Sequence, residues 1–272
     1  MKLAVSNIAW TPEEEPIVAA RLQELGVKYI ELAPTKYWQD PTAVSDEEAR
    51  QKVAWWQQYG ITPVAFQSML FNRPDLKLFD SAELCEEAAV YMEKFIALAG
   101  AMGVSRMVFG SPKNRQRGDM SLIQATEIAA EYFGRLAKAA SACSTEVCIE
   151  PNAPQYACDF ITNAHEGLEF VKSLNTKGVS LHLDTACMTL AGDDIEQSIV
   201  AAGDTLHHFH VSAPMLGDVR TDDGVDHAAA ARGLAQIAYD GVISIEMRPA
   251  EAGENLQRVE EALQFVRSVY AV

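Results

Sequence analysis

Short apolar runs alternate along the chain with longer segments in which apolar residues recur at helical spacing, and this alternation occurs eight times. The runs that predict β-strands cover residues 3–5, 29–32, 63–66, 106–109, 147–150, 179–184, 207–211 and 242–247. The segments that predict helices cover residues 17–25, 46–59, 82–102, 122–142, 164–174, 194–202, 228–239 and 254–270. The pattern is that of an α/β protein in which strand and helix alternate strictly.

Glycines mark the ends of several predicted helices. Gly26, Gly60 and Gly103 each follow a predicted helix directly, at the position where a left-handed residue often ends one. The next strand begins within a few residues, and such short connections favour parallel strands joined by right-handed crossovers. Eight such units predict a single (β/α)8 TIM barrel over residues 1–272. A doubly wound open sheet is the alternative, but no GxGxxG motif follows the first strand and no Walker lysine loop occurs.

Four predicted strands in the second half of the chain end in a carboxylate or an imidazole, namely Glu150, Asp184, His210 and Glu246. Removing such a group from water costs several kcal/mol unless it is paired or metal-bound. In a barrel the C-terminal ends of all strands meet at one mouth, so these side chains converge there. Three carboxylates and one imidazole suit Mn²⁺, Mg²⁺ or Co²⁺, and Zn²⁺ is also compatible. Separate salt bridges are the alternative, but the chain has only 22 lysines and arginines to supply them.

Charge and composition narrow the range of partners. The chain has 22 basic and 38 acidic residues, and the net charge of −16 repels nucleic-acid backbones and anionic membranes. We therefore expect neither nucleic acid nor a membrane as a partner. The first residues are too poor in apolar side chains for a signal peptide, so we expect a cytoplasmic protein. The five cysteines include no CxxC pair, which favours reduced thiols.

Four motifs at the predicted strand ends resemble those of the xylose isomerase-like superfamily of sugar isomerases and epimerases. The motifs are Glu150-Pro151-Asn152, Leu183-Asp184-Thr185, His208-Phe209-His210-Val211-Ser212 and Ile245-Glu246-Met247. Within that superfamily the chain is most similar to ketose 3-epimerases of the tagatose and allulose type and to hydroxypyruvate isomerase-like enzymes. The resemblance implies that Glu150, Asp184, His210 and Glu246 bind one divalent metal ion. It also implies that the two glutamates act as the acid/base pair.

The activity that this resemblance implies is that of a sugar or sugar-phosphate isomerase or epimerase working through an enediolate. A proton returned to the opposite face of the same carbon gives epimerisation, whereas a proton returned to the neighbouring carbon gives isomerisation. The expected partner is a small sugar or sugar acid. Related barrels often pair through the active-site face, so a homo-oligomer is an open alternative.

Three other functions fit part of the pattern. A dehydratase of the dehydroshikimate or inosose type begins with the same proton removal and then loses a β-hydroxyl group. An endonuclease IV-like hydrolase needs further histidines for a three-zinc cluster, but Gln67, Ser111 and Cys187 stand roughly where some of these are expected. The acidic net charge also opposes DNA binding. A non-catalytic sugar-binding barrel would be favoured by a failure to bind any divalent metal.

Two histidines and an arginine lie two residues away from predicted ligands on the same strand face. His182 and His208 precede Asp184 and His210, one layer deeper in the barrel, and are expected to support the site rather than to bind the metal directly. A hydrogen-bonded core histidine is the alternative for each. Arg248 either contacts a substrate hydroxyl, carboxylate or phosphate group, or pairs with a ligand carboxylate.

Four loop residues are further candidates for substrate contacts. Lys113 forms a small basic island with Arg115 after the fourth strand, where a solvated loop is the alternative. Gln67 follows the third strand and could reach a hydroxyl group, and Trp10 could form an apolar wall. Cys187 stands three residues after Asp184, where the epimerases usually carry a histidine. The loop after His210 also lacks the usual arginine-containing pattern, so the sequence does not identify the sugar.

Overall fold

A computed structural model describes residues 1–272 and contains one closed barrel of eight parallel strands, which confirms the predicted fold. Each strand pairs with its neighbours in chain order, and β1 pairs with β8 to close the barrel. The strands are β1 Lys2–Ser6, β2 Tyr29–Leu32, β3 Thr62–Phe66, β4 Arg106–Phe109, β5 Val147–Ile149, β6 Val179–Asp184, β7 Leu206–Ser212 and β8 Val242–Glu246. All eight predicted strands are therefore present, with each end within one residue of its predicted position.

Nine α-helices surround the barrel. They are α1 Glu15–Glu24, α2 Asp46–Gln57, α3 Ala82–Met102, α4 Leu122–Ala142, α5 Ala164–Leu174, α6 Thr185–Ala191, α7 Ile195–Ala202, α8 His227–Gln236 and α9 Asn255–Tyr270. The sequence pattern predicted eight of them and missed α6, which begins directly after β6. Asp184 caps this helix, because its side chain accepts a hydrogen bond from the backbone N–H of Cys187. None of the helices combines the length and apolar character needed to cross a lipid bilayer.

The main apolar core lies between the strands and the surrounding helices. Phe133 of α4 illustrates this packing: its ring centroid is 5.0 Å from that of Phe109 on β4 and 5.8 Å from that of Phe170 on α5. Fully burying a phenylalanine of this kind contributes about 1.5–3 kcal/mol. This layer holds the strands in register and so fixes the positions of the residues at their ends.

The barrel interior differs from this outer core because several inward-facing positions on β6, β7 and β8 are polar. In the strand register His182 lies beside His208, Asp184 beside His210, and His210 beside Ser244. All five side chains are buried. The closed sheet thus brings together polar residues that are far apart in the sequence.

Candidate metal centre and active site

The four predicted ligands lie at the C-terminal mouth of the barrel, on four consecutive strands or directly after them. His210 is central: its Nδ1 atom is 3.4 Å from Glu246 Oε2 and 3.8 Å from Asp184 Oδ2. Glu150, Asp184 and His210 each offer one oxygen or nitrogen atom that could bind a metal ion, and these atoms lie within 4.8 Å of one another. Glu150, Asp184 and Glu246 line a cavity of about 190 Å³ that opens at this mouth. The arrangement brings the sequence-predicted ligands to one place.

The hydrogen bonds around His210 and Asp184 orient both side chains and leave one imidazole nitrogen without a partner. His210 Nε2 is 2.9 Å from Glu31 Oε2, whereas the buried Nδ1 atom has no hydrogen-bond partner. The two Asp184 oxygens accept hydrogen bonds from the Cys187 backbone N–H at 2.6 Å and from Ser212 Oγ at 2.5 Å. These bonds orient the ligands, as partners of metal-binding side chains commonly do. Three carboxylates around an unpartnered imidazole nitrogen fit a divalent cation.

Clustering and burial shift the pKa values of Glu150 and Glu246 upward. Burial, with Asp184 and Glu246 as neighbours, raises the pKa of Glu150 to about 8. Burial also raises the pKa of Glu246, and this effect exceeds the opposing attraction of His210. Burial lowers the pKa of His210, but Glu31 and Glu246 outweigh it, so this pKa lies well above its usual value. Protons thus offset part of the clustered negative charge, which is the role that a divalent cation would take.

A fifth acidic residue, Glu31 on β2, lies under this cluster and was missed by the sequence analysis. It is fully buried, and its Oε2 atom accepts hydrogen bonds from His210 Nε2 and from Ser244 Oγ at 2.7 Å. Burial raises its pKa, but the charge of His210 and the hydrogen bonds from His210 and Ser244 outweigh this effect and hold the pKa at about 2. The signal was present in the sequence, since a glutamate stands among apolar residues within the strand Tyr29–Leu32. It was missed because it lies inside the strand rather than at its end.

His182 and His208 lie below the cavity and are fully buried. Their Nδ1 atoms are 3.1 Å apart, so one ring donates a hydrogen bond to the other. His182 Nε2 is 3.8 Å from Glu150 Oε1, and His208 Nε2 is 3.7 Å from Glu31 Oε1. Burial holds the pKa of His182 well below its usual value and lowers the pKa of His208 to about 3. Both rings are therefore neutral, and neither lines the cavity.

Two of the predicted substrate contacts, Gln67 and Cys187, line the cavity. Gln67 Nε2 donates a hydrogen bond to Ser6 Oγ, which fixes the amide near the mouth. Cys187 Sγ is 3.8 Å from Glu150 Oε1 and accepts a hydrogen bond from Asn152 Nδ2 at 3.5 Å. Both residues are buried, so they form part of the cavity wall rather than a mobile rim.

The other three predicted contacts do not lie at the cavity. Trp10 is fully buried and faces Lys36, whose Nζ atom is 5.7 Å from the ring centroid. Arg248 is exposed and does not line the cavity, and its backbone N–H donates a hydrogen bond to the carbonyl of Leu216. The side chain of Lys113 is also exposed. No lysine or arginine lines the cavity.

Arg115, a member of the basic island with Lys113, has a different position from its neighbour. It is fully buried, and its Nη2 atom donates hydrogen bonds to the carbonyl of Glu150 at 2.5 Å and to Asn152 Oδ1 at 2.8 Å. Its positive charge also opposes the rise in the pKa of Glu150. Arg115 therefore holds the backbone that carries Glu150, and it does not contact the cavity.

Comparisons with known proteins place this geometry in a family. The matching family model is described as a xylose isomerase-like TIM barrel and covers residues 19–269. An L-ribulose 3-epimerase from Methylomonas sp. is 33% identical over 97 residues, which are 36% of this chain and 34% of that protein. A D-psicose 3-epimerase from Ruminiclostridium cellulolyticum is 30% identical over 120 residues, which are 44% of this chain and 40% of that protein. The matched segments thus span well under half the length of these curated relatives.

A similarity of fold extends over nearly the whole chain. The structure of D-psicose 3-epimerase with D-tagatose, from Clostridium cellulolyticum, superposes with a TM-score of 0.80 and 19% sequence identity. The superposition covers 99% of each chain. With the family model matching nearly every barrel unit, the chain belongs to the xylose isomerase-like TIM barrel family.

Proposed function

We propose that this protein is a divalent-metal-dependent isomerase that epimerises an unphosphorylated ketose, with Glu150 and Glu246 as its acid/base pair. One observation carries the proposal. The two glutamates flank one cavity from strands that are three positions apart in the closed barrel, and both have raised pKa values. Carboxyl groups whose pKa values approach neutrality are suited to both accept and donate protons at physiological pH.

The residues that would hold the metal are Glu150, Asp184, His210 and Glu246. A divalent cation bound there would polarise the carbonyl and the adjacent hydroxyl group of a ketose and acidify the C–H bond between them. One glutamate then takes the proton from that carbon, and the other donates a proton to the opposite face. Relatives named as 3-epimerases of ribulose and psicose support inversion at carbon 3 over other outcomes.

The walls of the cavity favour a neutral substrate. Three carboxylates line the cavity, whereas lysine and arginine are absent from its lining. A phosphate or carboxylate group on the substrate would therefore lack a cationic partner and would lie near negative charge. Amide and hydroxyl side chains, including Gln67, Ser111 and Asn152, are suited to hydrogen-bond sugar hydroxyl groups. This composition supports a free sugar over a sugar phosphate or a sugar acid.

The test is an incubation of the Mn²⁺-loaded protein with a panel of ketopentoses and ketohexoses in D₂O. We expect the epimer to carry one solvent deuterium at the inverted carbon, with no loss of water. Glu150→Gln and Glu246→Gln should each lower turnover by at least about 10²-fold, because each removes one proton-transfer group. The exposed Glu251→Gln substitution serves as the matched control. Loss of water would indicate a dehydratase, and conversion of only phosphorylated sugars would refute the substrate assignment.

A further inference from the structure

Four buried polar atoms below the cavity lack hydrogen-bond partners: Glu31 Oε1, His182 Nε2, His208 Nε2 and His210 Nδ1. An unpaired buried polar group costs about 1–3 kcal/mol, so four in one cluster need an explanation. The second ring nitrogen of His182 and of His208 makes a hydrogen bond to the other ring, and that of His210 makes one to Glu31. These hydrogen bonds determine which ring nitrogen carries the proton. The tautomers can therefore be assigned from the geometry.

The tautomer of His210 follows from its contact with Glu31. Glu31 Oε2 can only accept a hydrogen bond, and it lies 2.9 Å from His210 Nε2. The Nε2 atom therefore keeps its proton and donates it to this bond. In the neutral ring that a cation would bind, the Nδ1 atom has the lone pair, and it faces Asp184 and Glu246.

The second oxygen of Glu31 acts on the other two histidines in turn. Glu31 Oε1 is 3.7 Å from His208 Nε2, and a carboxylate oxygen favours a neighbouring N–H over a neighbouring lone pair. With the His208 proton on Nε2, its Nδ1 atom accepts the 3.1 Å hydrogen bond from His182 Nδ1. His182 Nε2 then has a lone pair, and it lies 3.8 Å from Glu150 Oε1. The reverse assignment would place a nitrogen lone pair of His208 against the Glu31 carboxylate.

We propose that His182 is a second imidazole ligand of the metal ion and that Glu31 is the positioning residue that fixes both ligand tautomers. This inference rests on the metal dependence of the proposed function. The donor atoms of His182, Glu150, Asp184 and His210 lie within 4.8 Å of one another. A cation between them would satisfy the two unpartnered nitrogens that face the carboxylates. Two imidazoles also shift the preference of the site away from Mg²⁺ and toward Mn²⁺, Co²⁺ or Zn²⁺.

The test is proton NMR of the Co²⁺-loaded full-length protein, because a paramagnetic ion strongly shifts the N–H protons of the imidazoles that bind it. We expect two such solvent-exchangeable signals in the wild type, from His210 Nε2–H and His182 Nδ1–H. His182→Gln should lose one of them. Glu31→Gln should weaken Co²⁺ binding by about 10- to 100-fold, the range found when partners of metal-binding histidines are removed. Ser244→Ala, which removes the other hydrogen bond of Glu31, should retain both signals.

A single shifted N–H signal in the wild type would overturn the inference without any need for a folded variant. If that protein still epimerises ketoses, the proposed function stands and only the role of His182 fails. Two shifted signals without epimerisation of any ketose would support the two-imidazole site and refute the proposed reaction. An absence of Co²⁺ binding would overturn both.

Discussion

A methyl group added at Gly110 would occupy the space of the Glu150 carboxylate. An ideal Cβ atom at this position would lie 2.2 Å from Glu150 Oε2 and 3.4 Å from Asn152 Oδ1. Carbon and oxygen atoms are in favourable contact at about 3.5 Å, so the carboxylate must move by roughly 1 Å. The atom that must move is the end of a flexible side chain, so Gly110→Ala should displace Glu150 without disrupting the barrel.

We expect this substitution to lower catalytic activity while leaving the stability of the fold nearly unchanged. A displacement of about 1 Å at a reacting group can lower the rate by about 10²-fold. Replacing glycine by alanine also restricts the unfolded chain, which offsets part of the strain by about 0.4–1 kcal/mol. We therefore expect kcat/KM for ketose epimerisation to fall by about 10²-fold, while the free energy of unfolding in urea changes by no more than about 1 kcal/mol.

The matched control is Gly134→Ala in α4, where a Cβ atom would have no neighbour within 4 Å. This variant should keep full activity and gain roughly 0.5–1 kcal/mol of stability, because alanine is the better helix former. Retention of wild-type kcat/KM by Gly110→Ala would refute the assigned position of Glu150. An equal loss of activity in both variants would show that the effect is not specific to the cavity.

Three further changes test other parts of the site. Arg115→Met removes the donor to the Glu150 carbonyl and to Asn152, so it should lower the free energy of unfolding in urea by about 1–3 kcal/mol; no change would contradict this role. Tyr156 lines the cavity, and its hydroxyl group accepts a hydrogen bond from the Met215 N–H at 3.0 Å beside Leu216, another lining residue. Tyr156→Phe removes this bond from the cavity wall, so KM should rise while kcat changes little, and a fall in kcat with unchanged KM would argue against it. Because burial and neighbouring carboxylates hold the pKa of Glu150 at about 8 without metal, metal uptake at pH 7 should release protons, measurable with an indicator dye in weak buffer. This contribution should disappear above about pH 8, where Glu150 is already ionised.

The fold was predictable because every strand and every helix except α6 has its own local pattern and because glycines follow three of the helices. The convergence of Glu150, Asp184, His210 and Glu246 at one mouth was predictable because ionisable side chains rarely end buried strands without a partner. Glu31 was not found, since its role depends on a contact across the barrel with His210, at a sequence separation of 179 residues. The positions of Lys113 and Arg248 could not be predicted either, because a loop side chain a few residues past a strand can face inward or outward.

The hydrogen bond from the Cys187 N–H to Asp184 restricts which ligand can stand at the end of β6. A short carboxylate with one methylene group can cap a helix through one oxygen and still direct the other oxygen toward the cavity. Glutamate is too long to form this cap well, and histidine offers no oxygen atom to accept the N–H. Exchanging aspartate for another metal-binding residue here would therefore remove the N-cap of α6, which costs about 0.5–2 kcal/mol, as well as alter the site. At this position the choice of amino acid is dictated jointly by the helix and by the proposed metal centre.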